Sequence, residues 1–160
     1  MKKIASAILV LLTLFFGVEN LSDFNFDEFG IETEETSQLT SIQEDESYDS
    51  LQDVVDYLYL FDELPSNYLT KKEAQALGWE ASEGNLWELA PDMSIGGDYF
   101  GNFEGRLPEE KGRNYQEADI NYEGGYRGPE RLVFSNDGLY FYTENHYESF
   151  TEVEPSGDLK

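Results

Sequence analysis

Apolar residues take three textures along the chain. They are nearly continuous from Ile4 to Val18, recur at helical spacing from Leu51 to Leu58, and alternate with polar residues from Asn114 to Thr143. The first stretch follows Met1-Lys2-Lys3, and a basic start before about 15 mostly apolar residues is the pattern of a secretory signal. It is shorter than the ~20 residues that a spanning helix needs. No small-x-small cleavage pattern closes it near Gly17-Val18-Glu19-Asn20, so a cleaved signal peptide and a retained N-terminal anchor both stand as readings of residues 1–18.

Three helix signals follow in succession. Ser50-Leu51-Gln52-Asp53 resembles a capping box, and Leu51, Val54, Val55 and Leu58 form an apolar stripe that ends before Leu64-Pro65. Thr70-Lys71-Lys72-Glu73 is a stricter box, ahead of Ala74–Leu77 and a terminating Gly78. Asn85-Leu86-Trp87-Glu88 opens a third, single-turn helix that Pro91 stops. Helices this short take their stability from packing rather than propensity. From Asp92 to about Arg113, Gly96, Gly97, Gly101, Gly105 and Gly112 predict one long functional loop. Strands are predicted at Asn114–Tyr122, Arg131–Ser135 and Leu139–Thr143, the last two joined by an Asn136-Asp137-Gly138 hairpin turn. Short helices first and antiparallel strands afterwards indicate an α+β domain with helices packed on a C-terminal antiparallel sheet.

Charge refines the organisation. The 160 residues carry 34 acidic and 10 basic side chains, a net −24. Residues 51–153 hold 21 acids and 7 bases, whereas residues 19–50 hold 11 acids and no base. The chain therefore divides into a leader (1–18), an acidic propeptide or linker (19–49), a domain (50–153) and a tail (154–160). Such acidity opposes sequence-blind affinity for nucleic acid or anionic lipid. With no Cys and a single His, a disulfide scaffold, a thiolate metal site, a Cys nucleophile and any site needing two imidazoles are excluded.

Strand parity sorts the remaining chemistry. Tyr115, Glu117, Asp119 and Asn121 share one face of the first strand, and Ala118, Ile120 and Tyr122 the other. Leu132 and Phe134 alternate with Arg131 and Val133, as Leu139 and Phe141 do with Tyr140, Tyr142 and Glu144. Extending the last strand gives His146 the parity of Tyr140 and Tyr142. The expected sheet has an apolar face for the helices and a polar face holding Glu117, Arg131 and His146. A carboxylate, an imidazole and guanidiniums on one face make an acid–base site with anion binders.

These residues lie within a longer likeness. Leu64-Pro65-Ser66-Asn67-Tyr68-Leu69-Thr70-Lys71, Glu73–Trp79, Ser94-Ile95-Gly96-Gly97-Asp98, Glu117–Tyr122 and the series Asp119, Arg127, Arg131, His146-Tyr147 occur in order. From about Ser50 to Val153 the chain resembles the bacterial guanyl-preferring ribonucleases of the barnase and binase type. The resemblance implies the microbial ribonuclease fold and a metal-free transesterification of single-stranded RNA through a 2′,3′-cyclic phosphate, with no cofactor. It implies Glu117 as general base, His146 as general acid, and Lys71, Arg127 and Arg131 as the cations on the phosphate. It implies a guanine-reading loop of Phe100, Asn102 and Glu104, with Tyr147 lining the RNA site. Phe103 is included in that loop, although the family commonly has Arg there; the acidity of the chain is a second departure. Asp119 is expected to pair structurally with Arg127 or Arg131.

The resemblance further implies a secreted monomer without membrane integration after processing, no cleavage of DNA, and a barstar-like inhibitor as a partner. The alternative reading is a catalytically weakened RNA- or protein-binding module on the same fold, favoured by Phe103 and by the domain's acidity.

Overall fold

The computed structural model describes residues 42–157, so the leader and the acidic segment up to Ser41 lie outside the described residues. Helix α1 spans Leu51–Phe61, α2 Lys71–Ala76 and α3 Leu86–Leu89. The strands are β1 Tyr68–Leu69, β2 Ser94–Phe100, β3 Tyr115–Asp119, β4 Arg131–Ser135, β5 Tyr140–Thr143 and β6 Thr151–Val153. They form one sheet in the order β1-β2-β3-β4-β5-β6, antiparallel throughout except for the parallel β1–β2 pair. Helices before an antiparallel sheet is the α+β arrangement expected from the sequence.

The caps explain where the helices begin. The Ser50 hydroxyl accepts the Asp53 N–H, and α1 ends at Asp62 in the left-handed region. At Thr70 both halves of the capping box form: its hydroxyl accepts the Glu73 N–H, and the Glu73 carboxylate accepts the Thr70 N–H at 2.9 Å. Asn85 differs. Its side chain bonds back to Glu80 N and Gly78 O and leaves the start of α3 without a side-chain cap.

Three apolar clusters hold the layers. Val54, Val55 and Leu58 of α1 cluster with Ala118, Ile120, Leu132, Phe134 and Tyr140 of the sheet. Ala74, Trp79, Leu86, Ile95 and Tyr122 form a second cluster beneath the short helices. The third, Leu107, Tyr115, Val133 and Phe141, draws on the opposite strand parity. The face expected to be polar is thus apolar at one end, where the loop after β2 covers it, and charged only around Glu117.

Several local expectations change. The predicted glycine loop begins with strand β2, because Gly96 and Gly97 serve pairing rather than interrupt it. A Cβ at Gly96 would lie 2.6 Å from Tyr68 Cδ1 and 3.0 Å from the Ala118 Cβ, so only glycine lets these strands approach. Gly97, with φ +88°, occupies a bulge where the register passes from Gly96↔Ala118 to Asp98↔Glu117. β1 and β6 are too short to show periodicity. Part of the acidic segment also joins the domain: Asn67 Nδ2 donates to Tyr48 O, Tyr48 N–H donates to Asn67 Oδ1, and the Tyr48 ring packs on the first cluster. In the tail, Ser156 donates from N and Oγ to the buried Asp56 carboxylate on α1.

Candidate active site

Glu117 lies mid-way along central strand β3, on the face away from α1, paired with Asp98 of β2 and Val133 of β4. Its carboxylate is buried and bonded on both oxygens. Lys71 Nζ lies 2.5 Å from Oε1, and Tyr147 Oη donates to Oε2 at 2.5 Å. Lys71 is the first residue of α2, where a cation opposes the helix dipole. Its long side chain leaves that position and takes the carboxylate, while its N–H donates to Asp98 Oδ2 at 2.8 Å. Burial pushes the Glu117 carboxyl upward. The hydrogen bonds from Lys71 and Tyr147, with the charges of Lys71 and Arg127, outweigh this and hold it below the ordinary carboxylate range. Burial and the bond to Glu117 in turn push the Tyr147 phenol far up, so it stays a donor.

Asp119 follows Glu117 by two residues and therefore shares its face. It accepts from Arg127 Nε and Nη2 at 2.7 and 2.5 Å, and Arg131 Nε pairs with its Oδ1 at 2.9 Å. Both expected partners thus meet one carboxylate. Arg131 also donates from Nη1 to Gly128 O and Glu130 O, and is buried. Of the three cations expected on a phosphate, Lys71 and Arg127 retain exposed surface, whereas the Arg131 side chain is buried against Asp119.

His146 does not reach the site by strand parity. That parity belongs to Tyr140, which faces α1. β5 ends at Thr143, and the chain turns through His146 and Tyr147 with φ of +59° and +72°. The turn carries both rings to the other face. The His146 N–H donates to Pro129 O, the Tyr147 N–H donates to Thr143 Oγ1, and the two rings lie 5.4 Å apart. The His146 side chain is exposed, while Tyr147 reaches inward to Glu117.

Beside this turn is a cavity of about 340 Å³ lined by Phe100, Asn102, Phe103, Glu104, His146 and Tyr147, among others. The loop residues and the histidine turn expected to act together do meet there. Asn102 spends its amide on the loop itself: Nδ2 donates to Leu107 O and Oδ1 accepts the Leu107 N–H, both at 3.0 Å. Phe100 stacks beside Tyr147 with ring centres 5.3 Å apart. Phe103 is 95% exposed, its ring turned back against Gly101.

Sequence reasoning missed Arg106, Glu148 and Phe150, which also line the cavity, and Asp98 beneath Lys71. Arg106 sits two residues beyond Glu104, the one signal that could have singled it out. Asp98 could not have been placed without the bulge register.

The arrangement offers a buried ionised carboxylate and an exposed imidazole linked through one tyrosine, two accessible cations, and an aromatic cavity bearing a carboxylate. The chain matches a family model described as ribonuclease over residues 51–154. It is 56% identical over 100 residues to a ribonuclease of Bacillus intermedius, covering 62% of this chain and 62% of that protein's length. It is 55% identical over 100 residues to a ribonuclease of Heyndrickxia coagulans, covering 62% of this chain and 92% of the relative. A third likeness, to guanyl-specific ribonuclease St of Saccharopolyspora erythraea, is 46% identical over 55 residues, 34% of this chain and 54% of the relative.

Proposed function

The chain belongs to the ribonuclease family, and from that premise we propose that it is an RNA endonuclease cutting after guanosine by metal-free transesterification. The observation that carries this reading is the junction of two features: the cavity holding Phe100, Glu104 and His146 is tied to Glu117 through the Tyr147 hydroxyl. The same junction opposes the weakened-binder reading, since both titrating groups and their cations are present.

In this mechanism the Glu117 carboxylate takes the proton of a ribose 2′-OH. The freed oxygen attacks phosphorus, the bond from phosphorus to the 5′-oxygen breaks, and His146 in its protonated form donates to that departing oxygen. The product is a 2′,3′-cyclic phosphate, and its hydrolysis reverses the two roles. Lys71 and Arg127 stabilise the charge on the non-bridging oxygens. Glu117 starts as an ion because its hydrogen bonds outweigh its burial. An incoming phosphate draws Lys71 away from Oε1 and frees that oxygen to accept a proton. DNA has no 2′-OH and is not cut.

Within the cavity, guanine stacks on Phe100, and Glu104 accepts from its N–H edge. Phe103 adds apolar surface where an arginine would have added charge. The leader directs export, and the enzyme works outside the cell as a monomer. A barstar-like inhibitor docks over the same face, and its acidity makes it a weaker partner here than for a basic enzyme.

The test is cleavage of guanylyl dinucleotides. Wild type yields cyclic phosphate, and Glu117→Ala and His146→Ala each lose rate by at least about a hundredfold. A wild type that binds guanylate without turnover supports the binding module instead.

A further inference from the structure

We propose that Arg106 is a positioning residue that couples the base cavity to the histidine turn, so that guanine recognition and proton transfer share one brace. The inference rests on the reading of the cavity as the base site.

One guanidinium joins two segments about forty residues apart in sequence. Arg106 Nε lies 2.6 Å from Glu104 Oε2, within the loop that follows β2. Its Nη1 donates to Tyr147 O at 2.9 Å and also to Glu148 O, in the turn that follows β5. The turn's other hydrogen bonds run to Thr143 Oγ1, to Pro129 O, between the Asn145 amide and Ser149, and from the Tyr147 hydroxyl to Glu117 on β3, none of them in the recognition loop. Arg106 alone among the described hydrogen-bond donors grips the turn from the recognition loop.

The turn needs such a grip. His146 and Tyr147 are adjacent non-glycine residues at φ +59° and +72°, a conformation that persists only where surrounding bonds hold it. Tyr147 also carries the hydroxyl that donates to Glu117, so a shift of this turn moves the acid and the base partner together. At the other end, the Glu104 carboxylate is held by Arg106 before any base arrives. A preoriented acceptor needs no rearrangement when a base N–H edge meets it. The guanidinium fork suits this double task, because it presents donors on different nitrogens to a carboxylate and to carbonyls, whereas a lysine ammonium carries all its donors on one nitrogen.

Kinetics of wild type, Arg106→Ala and Arg106→Lys on guanylyl and adenylyl dinucleotides separate the two ends of the brace. Wild type is expected to favour the guanylyl substrate. Arg106→Lys keeps the ion pair with Glu104, so KM for the guanylyl substrate stays within about threefold while kcat falls about tenfold on both substrates. Arg106→Ala loses both ends: kcat falls similarly and the guanylyl KM rises about tenfold, which removes the preference. If Arg106→Ala does not fold, Arg106→Lys, which keeps the charge, decides alone. A kcat within twofold of wild type in the folded variants, with wild type retaining its preference, overturns the brace. A wild type that cleaves but shows no guanine preference overturns the base-site reading and the inference with it.

Discussion

Replacing Asp119 with alanine should leave the buried Arg131 and the half-buried Arg127 without their shared counter-ion, and the domain should melt far below wild type. Asp119 is 2% exposed. It meets Arg127 through hydrogen bonds of 2.7 and 2.5 Å and Arg131 through an ion pair of 2.9 Å. The Arg131 side chain is 3% exposed, and its bonds to the Gly128 and Glu130 carbonyls satisfy donors without cancelling its charge. Removing one partner of a buried pair costs about 3–5 kcal/mol, because the survivor stays desolvated and unpaired. Whole domains are stable by only about 5–15 kcal/mol. At about 4–8 °C per kcal/mol for a domain of roughly 100 residues, the melting temperature falls by at least about 12 °C. Asp119→Asn keeps an acceptor but loses the charge, so its loss lies between wild type and alanine. The check is thermal and urea unfolding by circular dichroism at neutral pH, in about 0.1 and 1 M salt. A loss below about 1 kcal/mol, or one that vanishes at high salt, would refute the reasoning, since that is how an exposed and screened pair behaves.

Other consequences are open to direct measurement. The Glu117 carboxyl lies below its usual range in the folded protein, so the stability its partners add is complete above the ordinary carboxylate pKa and is lost as pH falls through the folded value. Lys71→Met removes the leading hydrogen bond that opposes burial, so the acid limb of the kcat/KM profile moves to higher pH; a limb that stays put or moves lower contradicts this account. The Tyr142 phenol is pushed up to about 12 by burial and by its hydrogen bond to Glu130. With Tyr68 and Tyr147 it therefore ionises after ordinary tyrosines in ultraviolet difference titration, unless unfolding intervenes, and Tyr142→Phe should lower the amplitude of that late phase by one phenol. Gly96→Ala drives a methyl group into Tyr68 and Ala118 and should cost about 1–3 kcal/mol by urea unfolding; an unchanged midpoint would show that β1 and β2 move apart freely.

Much of this molecule could be read along the chain because its signals are local. The Thr70 box, the α1 stripe and the Asn136-Asp137-Gly138 turn each depend on residues within four positions, and each forms as read. The i, i+2 spacing of Glu117 and Asp119 was enough to put both on one face, since strand parity is a backbone property. Parity failed at His146, because it holds only while the strand lasts and β5 ends three residues earlier. The loop reading failed at β2, where the glycines permit a bulge and a close strand contact.

Sequence by itself determined the α+β order, the charge partition and the identity of the titrating side chains, all of which follow from near neighbours or from composition. Tertiary structure decided which cation faces which carboxylate: Lys71 crosses to Glu117, while Arg127 and Arg131 both meet Asp119. It also decided that Arg106 bridges two loops. Such pairings close contacts between different strands, helices and loops, and their choice depends on burial and register, quantities that exist only once the sheet has formed.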